Sequence, residues 1–514
     1  MNFKAADIPL KKLAGFADWK LLAFLVLFMD VKLVVKVVAI VLMYLTQFDL
    51  RFGFRFKNSR LPLFYLLVIG IAVLNGLLYK SYFNLRYDLV FVTGIGFWLL
   101  CILALHQVKL SVEKNTAEVL HNTILAFFVL NAAVTAFNLF SIIAEIHTIN
   151  PYLYQGQNQK YFIGTGDYIK GITFDVSITN AVLNALGVIY FLIRKNALMQ
   201  LICMAALLLS GSNAVNLMLT GILVLLFLFK STKDQKCLIA ICVMFLAVFM
   251  INVSPQNSNY AANAFNKLFH KDKRVILVST HTTPILQAAI NLSKTEEEQK
   301  KIATHYLDSI SLLRRSKAMP ASGKVIEPDL PRPNLDSKPY WEAPDTTPMR
   351  RILLQFIAVN RSELPISAVG HKPGMLPGKV IALQQVTDFL LQHPFKMLTG
   401  DGLGNFSSKV AFKATDLGFN GNYLAKYVYI SKDFLTHHLD IYLHFFSEQP
   451  ELHSILNDPN SVYFQLLGEY GLMGLLAFCV FYLWYFLRHY HKLSYGIPIL
   501  LFVLGIFFLE YWLG

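Results

Sequence analysis

Apolar runs long enough to cross a bilayer govern what this chain can fold into. Eight of them stand out, at 61–79, 88–107, 119–143, 172–193, 213–229, 237–252, 462–487 and 495–513. About 20 consecutive apolar residues suffice for a helix to span a ~30 Å hydrocarbon core. A shorter run, 197–210, ends at "SGSN" and should form a tight hairpin with the run after it. Residues 20–47 read either as one long span or as two short ones broken at "MDVK", where Asp30 and Lys32 would be costly in mid-membrane. The broken pair brings the expectation to an all-α polytopic membrane protein of about eleven transmembrane helices.

Composition agrees. The chain is 55% hydrophobic and 15% charged, with a mean hydropathy of +0.48, whereas soluble domains carry about 25% charged residues. The formal charge of +14 does not form a patch with interleaved aromatics, so nucleic acid is not an expected partner. Basic residues instead punctuate the apolar runs, as topology signals do. All five cysteines (Cys101, Cys203, Cys237, Cys242, Cys479) lie inside apolar runs, and no CxxC pattern offers a metal site.

Loop charge orients the chain. "DLRFGFRFKNSR" (49–60), "RKN" (194–196), "KSTKDQK" (230–236) and "RHYHK" (488–492) are rich in Lys and Arg and fall on one side if the runs alternate. That side should be the cytoplasm. Three regions follow: a bundle of spans one to nine over 1–252, a large outer loop domain over 253–461, and the last transmembrane helices over 462–514. A loop far above ~15 residues is usually functional or a domain of its own. Within it, "SKTEEE" (293–298) offers a capping box of Ser293 and Glu296, and 327–348 is a proline-rich linker. A second amphipathic helix is expected over 378–393, with Val380, Leu383, Val386, Phe389 and Leu390 on one face. The smaller outer loop at 144–170 is rich in tyrosine and amides, which suits a sugar-facing surface or an interfacial aromatic belt.

The loop domain should end where "PNSVYFQLLGEYGLMGLLAF" (459–478) turns from capping residues into a membrane-grade run whose one formal charge is Glu469. Asn460, Ser461, nine residues, Gly471, two residues and Gly474 match the spacing of the O-antigen ligase and polymerase superfamily, and the segment resembles that family's motif. "HPFKMLTGDGLGNFSS" (393–408) resembles its "hPl.G.G.gnF" turn, and "LLLSGSNAVNLML" (207–219) its "TgSRg" hairpin. The expected topology is similar too, with the large outer loop between spans nine and ten.

The resemblance implies a membrane-embedded, inverting glycosyltransferase of the bacterial inner membrane, working on the periplasmic side. Such an enzyme moves a glycan from undecaprenyl pyrophosphate to an acceptor glycolipid or glycan, with no cofactor. Arginines grip the pyrophosphate and stand in for a metal ion, and a histidine at the tip of span ten takes or orients the acceptor's proton. This chain departs from the pattern at those positions. Asn460 holds the histidine place, Asn213 that of the "TgSRg" arginine, and Lys379 that of the arginine before "hP". Asparagine can orient a hydroxyl but not deprotonate it, and lysine keeps the charge without the planar fork. A divergent subfamily, a degenerate copy and an altered residue at 460 all fit.

Each candidate has a plainer role beside the catalytic one. Asn460 also reads as a helix cap before Val462, Lys379 as a solvated loop lysine, and Asn213 as a turn residue. Arg350, Arg351 and Arg361 are candidate pyrophosphate ligands or a charged helix face. His437 and His438 are the substitutes for the missing base, or an interfacial pair. Gly400, Gly402 and Gly404 could cradle a phosphate, though a turn into a helix explains them as well, and Phe406 reads as core. Glu469 is a functional residue in the membrane or the partner of a neighbouring helix. Gly471 and Gly474 should let a neighbouring helix approach closely. Ligase, polymerase and protein O-glycosylation are equally compatible with these residues. A lipid-linked sugar flippase would instead need inverted repeats, and a catalytically dead relative would bind without turnover.

Overall fold

Helices account for all the regular secondary structure in residues 15–30, 32–79, 84–147, 169–174, 177–229, 231–249, 251, 377–414, 427, 429–438, 441–442 and 457–510, which the computed structural model describes; no strand occurs among them. Among the described residues, three helices are long and apolar enough to cross a membrane, with further apolar helices of 10–17 residues. The capping box at Ser293, the linker at 327–348, most of the loop at 144–170 and Arg350, Arg351 and Arg361 lie outside the described residues. Two compact units divide the chain: Met1–Tyr65, Trp98–Ala261 and Phe481–Ile506 in the first, and Leu66–Phe97, Ala262–Val480 and Phe507–Gly514 in the second.

The first unit opens with α1 (Trp19–Phe28) and α2 (Leu33–Thr46). Asp18 caps α1 by accepting from the Lys20 and Leu21 amides, each at 3.1 Å. The break expected at "MDVK" is present: Asp30 Oδ1 accepts the Lys32 amide at 2.8 Å, a local turn that ends one helix and starts the next. Leu21 and Phe24 pack on Ala39, Ile40 and Met43 across this turn. At 1.5 Å per residue α1 is ~15 Å long and α2 ~21 Å, so each falls short of a ~30 Å core when upright.

α3 (Phe64–Leu78) and the start of α4 (Leu85–Lys114) fall almost wholly in the second unit; α4 and α5 (Ala117–Ile146) are of full spanning length. Next come α6 (Ser177–Ile193), α7 (Ala197–Leu209), α8 (Asn213–Phe229) and α9 (Lys233–Val248). The tight turn at 210–212 exists, with Gly211 at φ +67°. Yet α7 packs mainly along α6, while α8 packs on α6 and α9. The turn therefore joins two helices that both pack on α6 and α9 and little on each other, so it does not close the hairpin expected from the sequence. An asparagine cluster holds the 169–173 segment to α5 and α6. Asn131 donates to Asn180 Oδ1 at 3.0 Å and accepts the Ile172 amide at 3.1 Å, while Asn180 donates to the Ile169 carbonyl at 3.1 Å.

The basic loops of this unit are joined by direct contacts. Arg60 forms a fork onto the Glu113 carboxylate, Tyr485 donates to the Arg60 carbonyl, and Arg488 reaches Asn58.

In the second unit, α10 (Gly378–Gln392), α11 (Pro394–Thr399), α12 (Lys409–Lys413) and α13 (Lys432–His437) precede α14 (Val462–Phe478). A π-helical turn at Cys479–Leu483 and α15 (Trp484–Tyr490) extend α14 into the third helical run of spanning length. The last helix, α16, is Gly496–Leu509. The core of the unit joins Ala382, Val386, Phe389 and Leu390 of α10 to Phe406, Ile441 and Phe464. The expected apolar face of α10 is shifted. Val380 and Leu383 are 42% and 44% exposed, and the buried line runs through Lys379, Ala382, Val386 and Phe389. A helical-spacing count could not include Lys379, because a charge normally marks the solvated face.

Candidate functional site

The polar mouth of α14 is built from three chain segments. Asn460 donates its amide to Asp458 Oδ1 at 2.8 Å, turning the chain through Pro459. Asn457 accepts the Gly378 amide at 2.9 Å, which sets the first turn of α10 directly on this turn. A Cβ at Gly378 would collide with the Asn457 backbone, so glycine is required for that approach. Lys379 follows, 1% exposed, and donates to the backbone carbonyl of Asn460, 81 residues away. It also donates to the Leu509 carbonyl at 2.8 Å. Leu509 ends α16, so the ammonium satisfies a carbonyl at the negative end of that helix. Ser461 is the N-cap residue of α14, but it makes no side-chain cap; its hydroxyl donates to the Phe507 carbonyl of α16 at 3.2 Å.

The capping role considered for Asn460 is absent as well. Its side-chain oxygen accepts from the buried Tyr442 hydroxyl at 3.0 Å. Tyr442 lies against Phe412 and edge-on to His438, with ring centroids 4.4 and 5.8 Å apart respectively. His438 is fully buried, stacks on Phe406 and meets Gln385 at 3.2 Å through Nδ1. His437 faces Phe389, with ring centroids at 5.6 Å. Phe406 is core, as its sequence context suggests. Tyr442 thus links two candidate positions, and sequence reasoning missed it among the aromatics of "DIYLHFF". Asp458 was missed too, although Asp before Pro-Asn is a recognisable turn signal.

Electrostatics at the mouth follow from burial. Removing the Lys379 ammonium from water pushes its pKa down to about 8, against the pull of Asp458 and Glu510. Burial pushes the Asp458 carboxyl above its usual range, with Lys379 pulling the other way. For Lys379, the folded value of about 8 lies below an unfolded value of ~10.4. Between these values the unfolded chain holds more protons, so stability rises with pH. In detergent, the unfolding midpoint of the wild type, compared with that of Lys379→Met, should climb from pH 8 to pH 10. Parallel curves for the two proteins would exclude a buried ammonium at this position.

Deeper along α14 the helix is interrupted. Gly471 has φ +62° and ψ −160°, outside helical geometry. The interruption frees the carbonyls of Gly468 and Glu469, and the glycine turn satisfies them: Asp401 donates to Gly468 at 2.9 Å and Gly402 to Glu469 at 3.1 Å. Non-helical backbone in an apolar segment survives only where protein covers it in this way. Gly400, Gly402 and Gly404 all have positive φ, of 77°, 99° and 76°. The Glu469 carboxylate accepts the Phe406 and Ser408 amides at 3.4 and 3.1 Å, so its partner is this loop and not another helix. The glycine pair divides. A Cβ at Gly471 would strike Leu398 O of α11 and Gly400 N just after it, so Gly471 lets the end of a neighbouring helix approach closely. A Cβ at Gly474 would strike Tyr470 of its own helix.

The sequence-derived candidates therefore divide. Lys379, Asn460, Ser461 and, through Tyr442, His438 converge at the mouth of α14. Gly400, Gly402, Gly404, Glu469 and Gly471 form the adjoining turn. Asn213 belongs to the first unit, where its Oδ1 is buried without a hydrogen-bond partner among the described residues. Comparison with protein-family models, with curated proteins and with solved structures gives no match.

Proposed function

We propose that this chain is a membrane-embedded glycosyltransferase of the O-antigen ligase and polymerase type. It would take a glycan from undecaprenyl pyrophosphate at the periplasmic face of the bacterial inner membrane. About eleven spans, with a loop domain between the ninth and tenth, belong to this reading. The observation that carries it is the meeting of Lys379 and Asn460 at the polar mouth of an apolar helix. These are the two positions at which the resemblance places the phosphate-binding cation and the acceptor-facing residue.

The chemistry asks for two things there. The acceptor oxygen forms a bond to the anomeric carbon as the bond to pyrophosphate breaks, and the acceptor proton must leave. Lys379 can stabilise the departing charge when a phosphate oxygen replaces the Asn460 carbonyl as its acceptor. Asn460, held by Tyr442, can orient the acceptor hydroxyl but cannot take its proton. That limit favours, as a second reading, a relative that binds the donor with little turnover.

The test follows lipid-linked glycan in liposomes containing the purified chain, acceptor glycolipid and a chelator. The expected result is slow loss of donor with release of undecaprenyl pyrophosphate. No consumption by the chain or by Asn460→His, at donor concentrations that saturate binding, would exclude the transferase.

A further inference from the structure

A second polar cluster in the same unit remains unused by the mouth of α14. Lys396 of α11 donates to Asp401 Oδ1 and to Asp433 Oδ2, both at 2.6 Å. Asp401 Oδ2 is buried with no hydrogen-bond partner among the described residues, and the Asp401 side chain is only 5% exposed. On the open side, Tyr79 is 39% exposed and Lys396 lies 5.9 Å from the centre of its ring. Beside Asp401, polar groups close tightly around Gly402. Asn405 Nδ2, Tyr87 Oη and Asn75 Nδ2 stand 3.1, 3.2 and 3.9 Å from where a Cβ would sit. Asn75, itself 1% exposed, also keeps its Oδ1 without a partner among the described residues.

We infer that Asp401, Lys396, Asp433 and Tyr79 form a binding site for a neutral sugar ring. An anion would meet the Asp433 carboxylate and the Asp401 carboxyl, and the Lys396 ammonium already occupies the place between them that a cation would take. A ring bearing hydroxyl groups both donates and accepts, which suits an unpaired carboxyl oxygen beside an ammonium, and its apolar face suits an exposed tyrosine. Burial supports the same assignment, because it holds the Asp401 carboxyl well above the usual range while Lys396 keeps that of Asp433 low. The cluster is then close to neutral overall. The role of the sugar as acceptor rests on the transferase reading; its binding does not.

Saturation-transfer NMR on the full chain in nanodiscs, with cellobiose, lactose and diacetylchitobiose as probes, tests the site. At least one disaccharide should receive saturation from the wild type, falling fivefold or more in both Tyr79→Ala and Asp401→Asn. Tyr79 lies at the rim, so its variant should stay folded, as an unchanged unfolding midpoint would verify. No transfer to any of the three sugars, or undiminished transfer in Tyr79→Ala, would overturn the site. Sugar binding lost in the variants while neither the wild type nor Asn460→His consumes donor would leave the site standing and remove the transferase. Donor consumption with sugar binding indifferent to both substitutions would do the reverse.

Discussion

Gly400→Ala should abolish the folded second unit, with an expected loss above ~4 kcal/mol, in the range reserved for severe backbone conflicts. Two costs combine. The residue sits at φ +77°, where a side chain is strained. An added Cβ would also collide with the Glu469 carbonyl and the Tyr470 nitrogen, which are backbone atoms with nowhere to go. Moving the turn away would unpair Asp401 and Gly402 from the carbonyls that the α14 interruption exposes. Gly96→Ala is the control, because nothing lies within 4 Å of its Cβ position in α4. It should change stability by no more than ~1 kcal/mol. Detergent size-exclusion profiles and unfolding midpoints read the difference. Gly400→Ala behaving like Gly96→Ala would mean that the turn does not lie on α14 as described.

Asn460→His should raise glycan transfer at least tenfold with little change in donor affinity. General-base assistance is worth about 10²–10⁴-fold. Tyr442, which now donates to Asn460, can instead accept the imidazole Nδ1–H through its hydroxyl oxygen, leaving Nε2 bare to receive the acceptor proton. Because the gain belongs to the transition state, it should appear in the rate and not in binding. The liposome assay measures both. Full activity in the chain as it stands, with no gain in Asn460→His, would place the base elsewhere. His438 would be the next residue to replace, since its ring adjoins Tyr442.

The apolar runs were legible because lipid leaves a chain few choices: about 20 apolar residues and internally satisfied backbone groups imply a helix. The helical class, the break at Asp30, the helix beginning near 378 and the importance of the 400–404 glycines could all be read from residue types. Their partners could not. Lys379 looked solvated because periodicity treats a charge as exposed, whereas two carbonyls from distant segments receive it. Val380 and Leu383 looked buried for the same reason.

By itself the sequence determined that this is a helical, largely apolar chain with a polar turn feeding the helix at Val462. It also determined that asparagine and lysine, not histidine and arginine, stand at 460 and 379. Tertiary structure alone decided that Gly471 interrupts that helix, that the 400–408 turn satisfies the carbonyls so exposed, and that Tyr442 stands behind Asn460. The physical reason is the same throughout. Helix formation depends on residues three and four apart, whereas satisfying a buried polar group depends on whichever segment folding brings within hydrogen-bonding distance.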